Sequence, residues 1–236
     1  MALQLTTEPS DRSVAPAERT LARNSIVNRL GSLFAFVPLG VWTVAHLWHQ
    51  LAAYESPSAW EIAVTGHVNV ATTVLVFILV LGPLLWHTVW GIVRMFRSRP
   101  APMQGGFSNL RYVLQRLSAL GLLLFLGAHL YLAWFEPRFL HGRPEPFEQI
   151  SREMRFHTPT LVVYLLGILG TSYHLANGFW SFTTMGWGIA VSKSGIRWME
   201  RVSILIFLAL LTIGLAAVYA LFRGGAAYGP GVAAAG

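Results

Sequence analysis

Four of the eight histidines sit inside stretches that carry no charge at all: His46, His87, His129 and His174, one in each of four separate stretches. An imidazole in a strongly apolar segment is costly, and the default reading is functional. One such histidine is accounted for by a hydrogen bond to a neighbouring helix; four in four successive segments ask for a shared purpose. Neutral imidazole is a ligand for iron, copper, nickel and zinc through either ring nitrogen. What four imidazoles can bind depends on how the elements carrying them bring them together.

Those elements are membrane helices. Hydrophobic residues make up 54% of the 236 and charged residues 11%, against about 25% charged in soluble domains. Charge-free windows run over 30–54, 62–93, 117–135, 156–192 and 202–222, and about 20 apolar residues cross a bilayer core. The alternation expected of a transmembrane β-barrel is missing. The expected fold is an all-α membrane protein with five transmembrane helices, a four-helix core carrying the histidines and a fifth, supporting helix. Its domains are a cytoplasmic tail at 1–28, the helical domain at 29–222 and a flexible tail at 223–236. Residues 1–28 hold six charges and no apolar run, so a cleavable signal is not expected. With the N-terminus inside and the C-terminus outside, 12 of the 17 Lys and Arg fall on the cytoplasmic side, as the positive-inside rule favours. The net charge of +7 therefore reports topology, and no nucleic-acid partner is expected. Cysteine is absent, which removes thiolate ligands, protein-held iron–sulfur clusters and covalent haem attachment.

Helix rise converts position into depth. At 1.5 Å per residue, His46 lies roughly 25 Å above the inner boundary at Arg29, and His129 roughly 20 Å above Arg116. Spans two and four run downward, which puts His87 about 10 Å and His174 about 8 Å above the inner face. The histidines form two pairs, His46 with His129 toward the outside and His87 with His174 toward the inside. Two layers of two suit two non-covalent b haems, each held by a pair of histidines, with a role in electron transfer. A zinc site would need ligands converging on one point. Gly91, Gly127 and Gly178 lie within four residues of a histidine, where a macrocycle would press on a helix. Ser32 and Arg116, with Arg111 and Lys193, stand at the inner boundary as partners for haem propionates. Trp42, Trp86, Trp90, Trp134 and Trp180 are placed to pack on haem edges or in interfacial belts.

The strings around these residues resemble a known family. Arg-Leu-Gly-Ser-Leu at Ser32 with Ala-His-Leu at His46, Leu-Leu-Trp-His-Thr-Val-Trp-Gly at His87, Leu-Gln-Arg-Leu-Ser with Gly-Ala-His-Leu at His129, and Tyr-His-Leu-Ala-Asn-Gly-Phe-Trp-Ser-Phe at His174 are similar to the four haem-bearing helices of the di-haem cytochrome b subunit of succinate:quinone oxidoreductases. The likeness covers roughly residues 25 to 222, in the single-anchor, five-helix type of succinate dehydrogenase and fumarate reductase. It implies that His46 and His129 ligate the outer haem iron, and His87 and His174 the inner. It implies a flavoprotein (FAD) and an iron–sulfur protein docked on the cytoplasmic face, with electrons passing between succinate or fumarate and a quinone, often menaquinone. The chain is then a subunit of an enzyme, non-catalytic toward succinate, in the inner membrane of a bacterium. The quinone is expected near the outer haem, where His49, Glu61, His67 and Asn69 offer polar groups. Two other readings use the same residues: the cytochrome b of a hydrogenase or formate dehydrogenase, and a haem-free transporter relaying protons through the histidines.

Overall fold

The computed structural model describes residue 26 and residues 29–66, 69–97 and 107–230, with the backbone alone at 35, 97 and 107–109. The expected tail at 1–28, apart from residue 26, and the connection at 98–106 lie outside the described residues, as do residues 231–236.

The described chain is helical, with no strand among the described residues. Five helices are long and apolar enough to cross a membrane: α1 (Arg29–Tyr54), α2 (Val70–Phe96), α3 (Leu110–Leu140), α5 (Thr158–Gly186) and α6 (Lys193–Ala227). A short amphipathic helix, α4 (Phe147–Phe156), lies between α3 and α5. The chain is a multi-pass membrane protein.

The helices end where caps and prolines dictate, which differs from where the charge-free windows end. The window at 62–93 takes in the end of one helical turn and most of a long helix. Helical turns at Pro57–Trp60 and Glu61–Thr65 come first, and α2 starts only after Asn69, whose side chain accepts from the Thr72 N–H in a reciprocal capping box. At the other extreme, α6 begins well ahead of residue 202, because the Ser192 hydroxyl accepts from the Gly195 N–H at 3.0 Å and so nucleates the helix at Lys193. It continues past 222 to Ala227. Three wide, π-type stretches coincide with the turn before a proline: Ala35–Leu39 around Pro38, Phe77–Leu81 ahead of Pro83, and Leu130–Leu140 around Pro137. Proline has no N–H to close the ordinary turn and crowds the carbonyl four residues earlier, so the helix widens there.

Small residues set the close approaches. A Cβ on Gly214 of α6 would stand 2.5 Å from Ile168 of α5, and the Ser203 hydroxyl donates to the Ala176 carbonyl across the same seam at 2.8 Å. A Cβ on Gly167 would stand 2.5 Å from the ring of Phe125 on α3, and one on Gly31 of α1 would stand 2.8 Å from Trp90 of α2. Such contacts let membrane helices approach closely. The Tyr54 hydroxyl at the end of α1 donates to the Ala216 carbonyl of α6. The best-buried cluster joins Phe147, Ile150 and Met154 of α4 with Trp60, Leu47, Ile168, Leu210, Val218 and Leu221. Here α4 is clasped between the ends of α5 and α6, and the Glu61 carboxylate accepts the N–H of Phe147 at its first turn. Packing is unequal: 33% of the apolar window of α6 is buried in the protein, 22% of α5, 6% of α2 and none of α3.

Candidate functional site

The four intramembrane histidines meet in two pairs. His46 of α1 and His129 of α3 have ring centroids 6.0 Å apart with planes inclined at 72°. His87 of α2 and His174 of α5 lie 6.2 Å apart at 74°. These are the pairs that helix rise assigns to the two depths. No group of three or more His, Cys, Asp or Glu is set to hold a metal among the described residues, so the arrangement is two-by-two.

The spacing suits a metal between each pair. With metal–imidazole bonds of about 2 Å and ring centres about 1.2 Å behind the ligating atoms, two imidazoles on opposite sides of one iron have centroids about 6.4 Å apart. The ring nitrogens fit the same arrangement. His129 meets the Tyr164 hydroxyl through Nδ1 at 3.1 Å, and His174 meets the Ser118 hydroxyl through Nδ1 at 3.2 Å; Nε2 of each ring is thereby left for a metal. His87 Nδ1 is buried without a hydrogen-bond partner, an orphan that a hydrogen bond or a ligand would relieve. His46 differs, since its Nε2 lies 3.5 Å from the Gln50 amide nitrogen; either imidazole nitrogen is a competent ligand.

A Cβ added at Gly91, Gly127 or Gly178 would meet nothing within 4 Å. Those three glycines border open space, Gly91 and Gly178 one turn from His87 and His174 and Gly127 on an exposed face two residues from His129, in contrast to Gly31, Gly167 and Gly214, which are closed against neighbouring side chains. A planar macrocycle next to a helix needs the first kind of surface. Trp42 stacks on His46 with centroids 6.1 Å apart, and Trp90 leans on His87 at 5.7 Å. Trp134 packs on Phe77 and Phe139 instead, and Trp180 lies under the Arg111 guanidinium at 4.7 Å. Trp86 is exposed at the protein surface.

Among the polar residues expected at the inner boundary, Ser32 and Arg116 are half-buried, with Arg116 over the Tyr112 ring at 4.4 Å. Arg111 is engaged in an ion pair of 2.7 Å with Glu200 of α6, which ties α3 to α6, and Lys193 is exposed at the start of α6. Of the residues expected near a quinone, His49 is exposed at the end of α1, Glu61 holds the first turn of α4, and Asn69 caps α2. His67 lies outside the described residues. Glu61 and Asn69 thus each have a structural task that accounts for their position.

Four residues join the site that the sequence does not single out. Gln115 of α3 reaches the His174 ring with its amide nitrogen at 3.3 Å, while its carbonyl oxygen accepts from Asn177 at 2.8 Å. Ser118 and Tyr164 bind the two Nδ1 atoms described above. Asn177, Gln115 and Ser118 belong to the His-Leu-Ala-Asn-Gly and Leu-Gln-Arg-Leu-Ser strings, which hint at them; nothing local marks Tyr164.

No family model matches this chain. It is similar to the succinate dehydrogenase cytochrome b558 subunit of Bacillus subtilis (strain 168), 28% identical over 202 residues that make up 84% of this chain and 97% of that protein. The similarity, over 84% of this chain, supports the resemblance to succinate:quinone oxidoreductase anchors.

Proposed function

We propose that this chain is the membrane-anchor cytochrome b subunit of a succinate:quinone oxidoreductase, holding two b haems that pass electrons between an iron–sulfur subunit and a membrane quinone. The observation that carries the reading is the meeting of four histidines, from four helices, as two facing pairs about 6 Å apart. Similarity to a protein named as a succinate dehydrogenase cytochrome b558 subunit supports the choice of complex. Held by these two pairs of histidines, b haem would supply one-electron transfer. The chain's own work is to hold those positions. His46 and His129 present imidazoles at one level, and His87 and His174 at the other; Gly91, Gly127 and Gly178 keep the helix surfaces beside them flat.

The N-terminus lies in the cytoplasm, on the charge bias of the loops, and the flavoprotein and iron–sulfur partners dock on that face of a bacterial inner membrane. His87 and His174, the pair nearer that face, would hold the haem next to the iron–sulfur partner, and His46 and His129 the haem nearer the menaquinone. Purified protein should show a b-type α-band in a reduced-minus-oxidised spectrum, with two haems per chain, all removable by acid–acetone because no cysteine tethers them. A ratio near one contradicts the two-layer arrangement, and absence of the band favours a proton-relaying transporter.

A further inference from the structure

The two best-braced histidines are braced crosswise. His129 is carried by α3 and meets a hydroxyl of α5, Tyr164, at 3.1 Å. His174 is carried by α5 and meets a hydroxyl of α3, Ser118, at 3.2 Å. Their partners in each pair have no side chain bracing them from another helix: His87 Nδ1 has no hydrogen-bond partner, the ring being met by the Gly31 backbone of α1, and His46 has a contact of 3.5 Å to Gln50 on its own helix.

The proton inventory sets the direction of these bonds. An imidazole that gives Nε2 to iron keeps its proton on Nδ1, so Nδ1–H donates and the hydroxyl oxygen accepts. Ser118 is prepared for that role, since its own proton is directed to the Gln115 carbonyl at 3.0 Å. Gln115 closes the other side of His174 by donating its amide N–H to the His174 carbonyl at 3.4 Å, while its side-chain oxygen accepts from Asn177; that amide nitrogen is a donor only, so the Nδ1 proton is left to Ser118.

We infer that Ser118 and Tyr164 are positioning residues, each accepting the Nδ1–H of an axial histidine on the opposite helix, so that α3 sets the ligand strength at the haem of His87 and His174 while α5 sets it at the haem of His46 and His129. The inference rests on the two-haem reading above. An acceptor on Nδ1–H makes the imidazole more electron-donating and favours ferric iron. Deleting one should raise the midpoint potential of the haem whose ligand it braces and leave the other alone.

The test is a redox titration of the α-band in the assembled complex, for the parent, Ser118→Ala, Ser118→Thr and Tyr164→Phe. Ser118→Ala is expected to raise one wave and Tyr164→Phe the other, each by up to about tenfold in the redox equilibrium constant, or about 59 mV for one electron. Ser118→Thr, which keeps the hydroxyl, should stay with the parent. The wave missing from His87→Ala should be the one that Ser118→Ala moves. If a variant sheds a haem instead, loss of the haem ligated from the opposite helix supports the inference, and loss of the haem ligated from its own helix overturns it. Both waves fixed, both moved together, or both variants moving the same wave also overturn it. A parent that does not titrate as two haems would refute the underlying reading instead, so the two failures are distinct.

Discussion

At the scale of single residues, ligand pairing makes a sharp claim. His174→Ala should remove the haem shared with His87, and His129→Ala the one shared with His46; pyridine haemochrome assay of variants that keep one haem decides it, and a stable His174→Ala protein with both haems contradicts the pairing. That these histidines meet in these pairs was legible because helix rise is fixed and the spans alternate in direction, so depth follows from counting. The braces were not. Ser118, Gln115 and Tyr164 are ordinary residues whose importance depends on the rotation of α3 against α5, which no single helix encodes. A second residue-scale prediction concerns Glu145, buried in the connection ahead of α4. Burial, with Glu153 nearby, pushes its carboxyl up from 4.5 to about 8, against the opposing pull of Arg138. Between those two values the folded protein holds a proton that the unfolded chain has released. Stability should therefore be full below 4.5, decline as pH rises to about 8, and level off above it. Glu145→Gln should flatten the dependence, as thermal melts across that range in detergent would show; an unchanged slope counts against it.

At the scale of elements, the existence of five spans was legible from hydropathy alone, and their ends were not. Charge-free windows mark where a helix is in hydrocarbon, whereas caps and prolines mark where it starts and stops. Asn69 delays α2, and Ser192 advances α6 into charged sequence that the interface tolerates. The glycines looked alike in sequence and divide in space. Gly167 takes the edge of Phe125, whose ring stacks on His129 with centroids 5.5 Å apart. Gly167→Val should therefore cost about 1–3 kcal/mol through overpacking and disturb the spectrum of the His46–His129 haem more than that of its neighbour. Gly127→Leu, entering open space, should instead leave the helices packed while lowering haem content. Melting temperature and haem ratio, measured together, separate the two outcomes.

At the scale of the whole molecule, the proposed role depends on partner subunits. Membranes lacking it should lose quinone-linked succinate oxidation while the flavoprotein still reduces an artificial acceptor; unchanged quinone-linked activity would mean that this chain is not that anchor. The Arg111–Glu200 ion pair locks α3 to α6 on the face proposed for docking, and basic residues beyond it remain exposed at Lys193, Arg197 and Arg201.

The contacts of α6 also bear on how the protein is made. Its seam with α5 at Gly214 and Ser203, and its bond from Tyr54 of α1, close the bundle. It is the last of the five spans to leave the ribosome, since synthesis proceeds from the N-terminus. All four histidines are thus in the membrane before the helix that clasps α1 to α5 exists. On the proposed reading, retention of haem then waits for α6 to hold α1 against α5. A chain stopped after Ser192 should insert four spans yet fail to retain haem through purification, and supplying α6 as a separate polypeptide should restore retention.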